Sequence, residues 1–146
     1  MIKKSHVTIY TDGSCEPNPG AGGWAALLIF PGREVPISGY HPNSTNNRME
    51  LTAAVEALKA LPGSHRVDLY TDSTYVKKGI TEWMPAWKAR NWRRKAGKLA
   101  NVSLWKALDA AVNQHDVTWH WVKGHAGNKY NQKVDKLARG AMKRKT

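Results

Sequence analysis

The chain has 146 residues, carries 23 Lys and Arg against 11 Asp and Glu, and has a formal net charge of +12; that length suits one domain with a real hydrophobic core and is too short for two. The charge excess points to a polyanionic partner, the alternative being a basic surface kept only for solubility. The longest apolar run, Trp24 to Phe30, falls far short of the roughly 20 residues that span a bilayer, the N-terminus has no signal-peptide pattern, and the single cysteine, Cys15, excludes an internal disulfide and fits a reducing, cytoplasmic setting.

Val7 to Thr11 alternates apolar and polar residues, which predicts a strand, and the Gly/Pro/Asn cluster from Gly13 to Gly23 reads as a loop. Trp24 to Phe30 and Glu34 to Tyr40 flank the turn Pro31-Gly32, giving a three-stranded meander. From Thr45 to Leu61, Leu51, Ala54, Val55, Leu58 and Leu61 recur at helical spacing, and Pro62-Gly63 ends the helix. Arg66 to Thr71 is a short strand, after which Ser73 opens a helical stretch to Lys78. Gly79 is expected to break it, with another short helix from Glu82 to Ala89. A polar, basic segment, Arg90 to Asn101, precedes renewed helical spacing at Leu104, Leu108, Ala111 and Val112. Val117 to Val122 follows as a strand with Trp119 and Trp121 on one face. Gly124 to Gly127 is a loop, Val134, Leu137, Ala138 and Ala141 mark a last helix, and the tail from Lys143 is expected to fray. The order β-β-β-α-β-α-α-α-β-α implies a single α/β domain over residues 1–146 with a mixed sheet.

The chemistry starts from a duplication. Ile9-Tyr10-Thr11-Asp12-Gly13-Ser14 and Leu69-Tyr70-Thr71-Asp72-Ser73-Thr74 place aspartates sixty residues apart at the ends of two strands. If the strands are neighbours, the carboxylates converge and need a compensating charge. Oxygen-only ligation suits Mg²⁺ or Mn²⁺, and paired metals on carboxylates serve phosphodiester chemistry. Taken singly, Asp12-Gly13 is an ordinary turn dipeptide and Asp72 could cap a helix. Glu50 and Asp135 are the further acids available. Glu50 also reads as part of a variant capping box with Asn47, and Asp135 as the surface partner of Arg139. His125, between glycines, is either a proton-transfer group or an exposed loop histidine. The six histidines and one cysteine show no zinc-ligand spacing.

Thr11-Asp12-Gly13-Ser14-Cys15, Thr45-Asn46-Asn47-Arg48-Met49-Glu50-Leu51, Thr71-Asp72-Ser73 and Val122-Lys123-Gly124-His125-Ala126-Gly127 with Asp135 together resemble the bacterial type 1 ribonuclease H family, in order from about residue 5 to residue 140. The resemblance implies a five-stranded mixed sheet in the order 3-2-1-4-5 and endonucleolytic cleavage of the RNA strand of RNA/DNA hybrids. It implies that Asp12, Glu50, Asp72 and Asp135 ligate two Mg²⁺ ions, with Mn²⁺ a substitute. Products would carry 5′-phosphate and 3′-hydroxyl ends, and His125 would assist proton transfer or product release.

The resemblance also distributes substrate contacts. Cys15 through its backbone, Asn18, Asn46 and Asn47 would line the minor groove, where the 2′-hydroxyl separates RNA from DNA, and Thr45 would belong to a pocket for a DNA-strand phosphate. Thr45-Asn46-Asn47 reads equally as a helix N-cap cluster. A basic protrusion from about residue 83 to 105 would grip the DNA strand through Lys88, Arg90, Arg93, Arg94 and Lys95, with Trp83 against deoxyribose. Thr74 stands where bacterial members often have glutamine, and the loop after His125 lacks an acid common in relatives. The expected partner is a hybrid, met by a monomer, with single-stranded DNA-binding protein a further candidate. Two other readings compete: a catalytically silent nucleic-acid-binding module, which leaves the acids unexplained, and a recombinase of the same broad fold, which leaves the Thr45 to Glu50 motif and the basic segment unexplained.

Overall fold

Alternation along the strands sorts side chains to two faces. In β1 (Ser5–Cys15), Val7, Ile9 and Thr11 are buried on one face while Tyr10 and Asp12 occupy the other, and in β4 (His65–Thr71) Val67, Leu69 and Thr71 repeat that assignment. The computed structural model in which this is seen describes residues 5–92, 101–122 and 129–143. His125, Arg93, Arg94 and Lys95, together with the last three residues of the tail, lie outside the described residues.

β1, β2 (Gly20–Phe30) and β3 (Arg33–Ser44) form an antiparallel meander, and β4 and β5 (Asp116–Trp121) join it in parallel, giving the order β3-β2-β1-β4-β5. On one face, α1 (Asn46–Lys59) lays Leu51, Ala54 and Leu58 against Val7, Ile9 and Leu69, and α4 (Val102–Gln114) adds Trp105 and Leu108. Each fully buried leucine there contributes roughly 1.5–3 kcal/mol relative to exposure. On the other face α5 (Lys129–Met142) covers Tyr10 and Leu27 with Val134. The sheet is therefore the middle of three layers.

Two expectations are corrected, both at glycines. The segment from Gly13 to Gly23 is not one long loop, because β1 continues to Cys15 and β2 begins at Gly20. Gly22 and Gly23 are strand residues that allow close packing: a Cβ at Gly23 would overlap the α5 backbone at Ala138 and Met142, and one at Gly22 the Met49 side chain. Nor does Gly79 break its helix. α2 (Thr74–Lys78) passes through a π-helical turn, Gly79–Trp83, into α3 (Met84–Ala89), and Gly79 keeps helical dihedrals. Glycine is needed because a Cβ there would collide with the fully buried Trp105 ring.

Candidate active site

The duplicated Tyr-Thr-Asp ends meet as the sequence predicts. Tyr10 and Tyr70 are partners in the parallel β1–β4 ladder, so Asp12 on β1 and Asp72, one residue past the end of β4, lie side by side. Glu50 reaches them from the second turn of α1. That helix approaches closely because residue 13 is glycine; a Cβ there would overlap the Met49 and Glu50 backbone. Carboxylate oxygens of Asp12, Glu50 and Asp72 all lie within 4.8 Å of one another. Asp135, from α5, and Arg139 complete a pocket of about 350 Å³ that Asn46 and Asn47 also line.

The caps settle two local alternatives. Thr45, not Asn47, caps α1, its Oγ1 accepting from Arg48 N at 3.2 Å, so Glu50 is not held in a capping box with Asn47. Ser73, not Asp72, caps α2, its Oγ accepting from Val76 N at 3.1 Å. Neither acid therefore caps its helix, and both line the pocket. Asp135 does make the expected pair with Arg139, at 3.3 Å, and lines the pocket as well.

Charge in the pocket is unbalanced. Asp12 and Glu50 are each only 6% exposed, and two full negative charges within 4.8 Å of each other repel by at least about 3 kcal/mol at an effective dielectric of about 20. Burial first, then the charge of Asp72 and the nearby Asp135, push the Asp12 carboxyl up to about 8. Burial first, then Asp12 and Asp72, hold Glu50 well above the ordinary glutamate range. Glu50 Oε1 is buried and has no hydrogen-bond partner among the described residues. Native interiors rarely leave a carboxylate oxygen so placed without a ligand. An all-oxygen donor set at this spacing fits a hard divalent cation.

Around this centre the expected substrate residues divide. Asn18 Oδ1 accepts from Asn46 N at 3.1 Å, and Cys15 Sγ lies 3.3–3.4 Å from the carbonyls of Pro17, Gly20 and Ser44, so the β1–β2 turn is tied to the start of α1 beside the acids. Thr45 opens instead onto a separate cavity of about 350 Å³ with Asn43, Ser44 and Arg48. There the Ser44 Oγ is buried without a partner among the described residues, and Arg48 is steadied by Asn101 Oδ1 at 2.9 Å. Trp83 is half-buried against Tyr75, Trp87 and Trp105. Lys88 pairs with Asp109 at 3.1 Å, and Arg90 is exposed just beyond α3. Sequence reasoning missed Arg139 as a cation inside the acid pocket, Arg48 beside Thr45, and Tyr75, whose hydroxyl accepts from Asn101 Nδ2 and Trp105 Nε1. The only signal for Arg139 was its i+4 spacing from Asp135, which surface pairs share.

Comparison with known proteins agrees with this geometry. The RNase H family profile matches residues 4–143. The chain is 57% identical over 138 residues to Ribonuclease H of Ehrlichia ruminantium (strain Gardel), covering 93% of this chain and 94% of that protein. It is 54% identical over 138 residues to Ribonuclease H of Hahella chejuensis, covering 94% and 93%. Among solved structures, LC9-RNase H1, described as a type 1 RNase H with the type 2 active-site motif, superposes with a TM-score of 0.87 at 35% identity, over 97% of this chain and 74% of that one.

Proposed function

The chain belongs to the ribonuclease H family, and from that premise we propose that it is an endonuclease cutting the RNA strand of RNA/DNA hybrids with two divalent metal ions, leaving 5′-phosphate and 3′-hydroxyl ends. One observation carries the reading: three acids from β1, α1 and the end of β4 converge within 4.8 Å, with a buried Glu50 oxygen that lacks a hydrogen-bond partner among the described residues. Asp12, Glu50, Asp72 and Asp135 are the residues that would hold Mg²⁺, or Mn²⁺ in its place. When bound, the ions would supply Lewis acidity toward an attacking water and stabilise charge on the departing 3′ oxygen.

The chain's own residues do the rest. By the family resemblance Asp12, on the central strand β1, would be the acid shared by both ions. Asn46 and Asn47 line the pocket, and with Asn18 and the Cys15 backbone, held beside the start of α1, they would face a minor groove and its 2′-hydroxyls. Thr45 and Arg48, with the α1 N-terminus, suit a DNA-strand phosphate. Trp83, Lys88, Arg90, Arg93, Arg94 and Lys95 would grip the DNA strand, and His125 would move a proton or assist product release. Basic side chains away from the scissile bond bind ground and transition states alike, so they lower KM rather than raise kcat. The reading includes a cytoplasmic monomer; no helix among the described residues is long and apolar enough to cross a membrane. Single-stranded DNA-binding protein remains a candidate partner within it.

The test is cleavage of labelled RNA/DNA hybrid, RNA duplex and DNA duplex, each with Mg²⁺ and with chelator. Only the RNA strand of the hybrid should be cut, and only with metal. Comparable Mg²⁺-dependent cutting of duplex DNA would move the assignment to a recombinase. Replacing Arg93, Arg94 and Lys95 together with alanine should raise KM and flatten its salt dependence by roughly 0.9 per lost phosphate contact, and an unchanged slope would remove them from the substrate path.

A further inference from the structure

A second cavity, of about 330 Å³, shares Asp72, Ser73 and Thr74 with the acid pocket and is closed on its far side by Lys77 and Trp121. The fold creates it. Thr71 and Trp121 are partners in the parallel β4–β5 ladder, and the chain leaves β4 for α2 just after Thr71, which opens a slot between α2 and the edge strand. The Trp121 ring stacks on Trp119 with centroids 5.6 Å apart and planes within 9°, so its orientation is fixed while the residue stays half-buried. Lys77 is exposed and makes no ion pair among the described residues. The cavity thus offers a flat aromatic wall and an uncommitted cation, one step from four carboxylates that would repel an anionic strand. Its volume lies in the range of built ligand sites.

We propose that Lys77 and Trp121 form a subsite for one ribose–phosphate unit of the strand being cut, adjacent to the unit whose phosphate faces the carboxylates. The inference rests on the hybrid-nuclease reading above. Lys77 pairs with the phosphate and the indole packs against the sugar. Sugar rather than base is the occupant, because bases inside a hybrid stay stacked on one another, whereas backbone contacts position a duplex whatever its sequence.

The test uses hybrids with a single cleavage site whose RNA strand is shortened stepwise on either side of the cut. Lys77→Ala should raise KM roughly fivefold, the worth of one modest contact, with kcat within twofold, and should reduce the salt slope by about 0.9. Trp121→Phe should match wild type, and Trp121→Leu, which keeps apolar bulk without the flat ring, should raise KM. On one side only, shortening the RNA past the subsite should bring variant and wild type to the same KM. The subsite is overturned if Lys77→Ala and Trp121→Leu keep wild-type KM and salt slope, or if their defects survive shortening on both sides. Failure of the wild-type chain to cut any hybrid would instead sink the nuclease reading itself.

Discussion

Asp12 and Asp68 lie on the same face of the same sheet, on neighbouring strands, yet their proton affinities move in opposite directions. Asp12 is buried among acids, and burial first, then Asp72, push its carboxyl up to about 8. Asp68 accepts from His120 Nε2 at 2.7 Å and from His6 Nε2 at 2.5 Å, and these two hydrogen bonds, His120 first, draw its carboxyl below the ordinary aspartate value. Between them Tyr70 stacks on Tyr10 at 4.6 Å and on His120 at 4.4 Å, an aromatic row that divides the acid centre from the histidine-held end. One aspartate is supplied with partners by the fold and adds to stability. The other has only acids as its charged neighbours, and the fold carries a local cost that a bound cation would offset.

The most severe way to break the comparison is to neutralise the clustered acids. Asp12→Asn and Asp72→Asn should keep the fold and hybrid binding while lowering kcat by at least about 100-fold, since even outer partners of metal sites cost that much. Wild-type turnover in either variant would take the carboxylates out of the chemistry.

A second effect appears without turnover. The folded-state pKa of Asp12, about 8, lies above the ordinary aspartate value of 3.8, so the folded chain holds more protons than the unfolded chain across that window. Its stability in chelator should therefore fall as pH rises from about 4 to about 8. Saturating Mg²⁺ at 100 times its Kd should restore about 2.7 kcal/mol near pH 8, a Tm rise of roughly 5–10 °C, and less at pH 5, where protons compete for the same oxygens. Melting curves with a Mg²⁺ increment independent of pH would contradict the account.

Asp68 should behave in the opposite sense, and more weakly. Its lowered carboxyl contributes stability that is present above pH 3.8 and lost as pH falls below that value toward the folded-state one. Its side chain is 33% exposed, so Asp68→Asn should cost at most about 1 kcal/mol, flatten the acid side of the stability profile and leave kcat within twofold. A large loss of activity in that variant would mean that the aromatic row transmits strain to the acids.

How much of this the sequence disclosed follows from where each signal lies. The Asp12–Asp72 pair was legible because the same tripeptide ends two strands, and the ladder brings equal positions together. The buried face of α1 was legible from its period. Glu50 and Asp135 could not be told from local partners, because a cap at i+3 and a surface pair at i+4 have the same spacing as a ligand; the whole-chain resemblance, not the spacing, singled them out. The Asp68 cluster left no local trace, since its histidines lie 62 and 52 residues away in sequence. The two misread glycine segments share one cause: glycine marks both turns and close contacts, and only the partner across the fold tells which.

The contact between Gly79 and Trp105 ties the fates of two positions 26 residues apart in the chain. Gly79→Ala alone should be strongly destabilising, because the added methyl collides with a ring that cannot withdraw from the core. Trp105→Ala alone should be destabilising for the opposite reason, a cavity. Joined, the two changes should cost less than their sum, each supplying the space or the volume the other lacks, so the double variant tests a non-additive coupling. Sequence drift at either site is then conditional on the other. A lineage could leave the Gly–Trp pairing only by a path whose first step loses stability, which makes the pairing a historical ratchet as well as a packing contact.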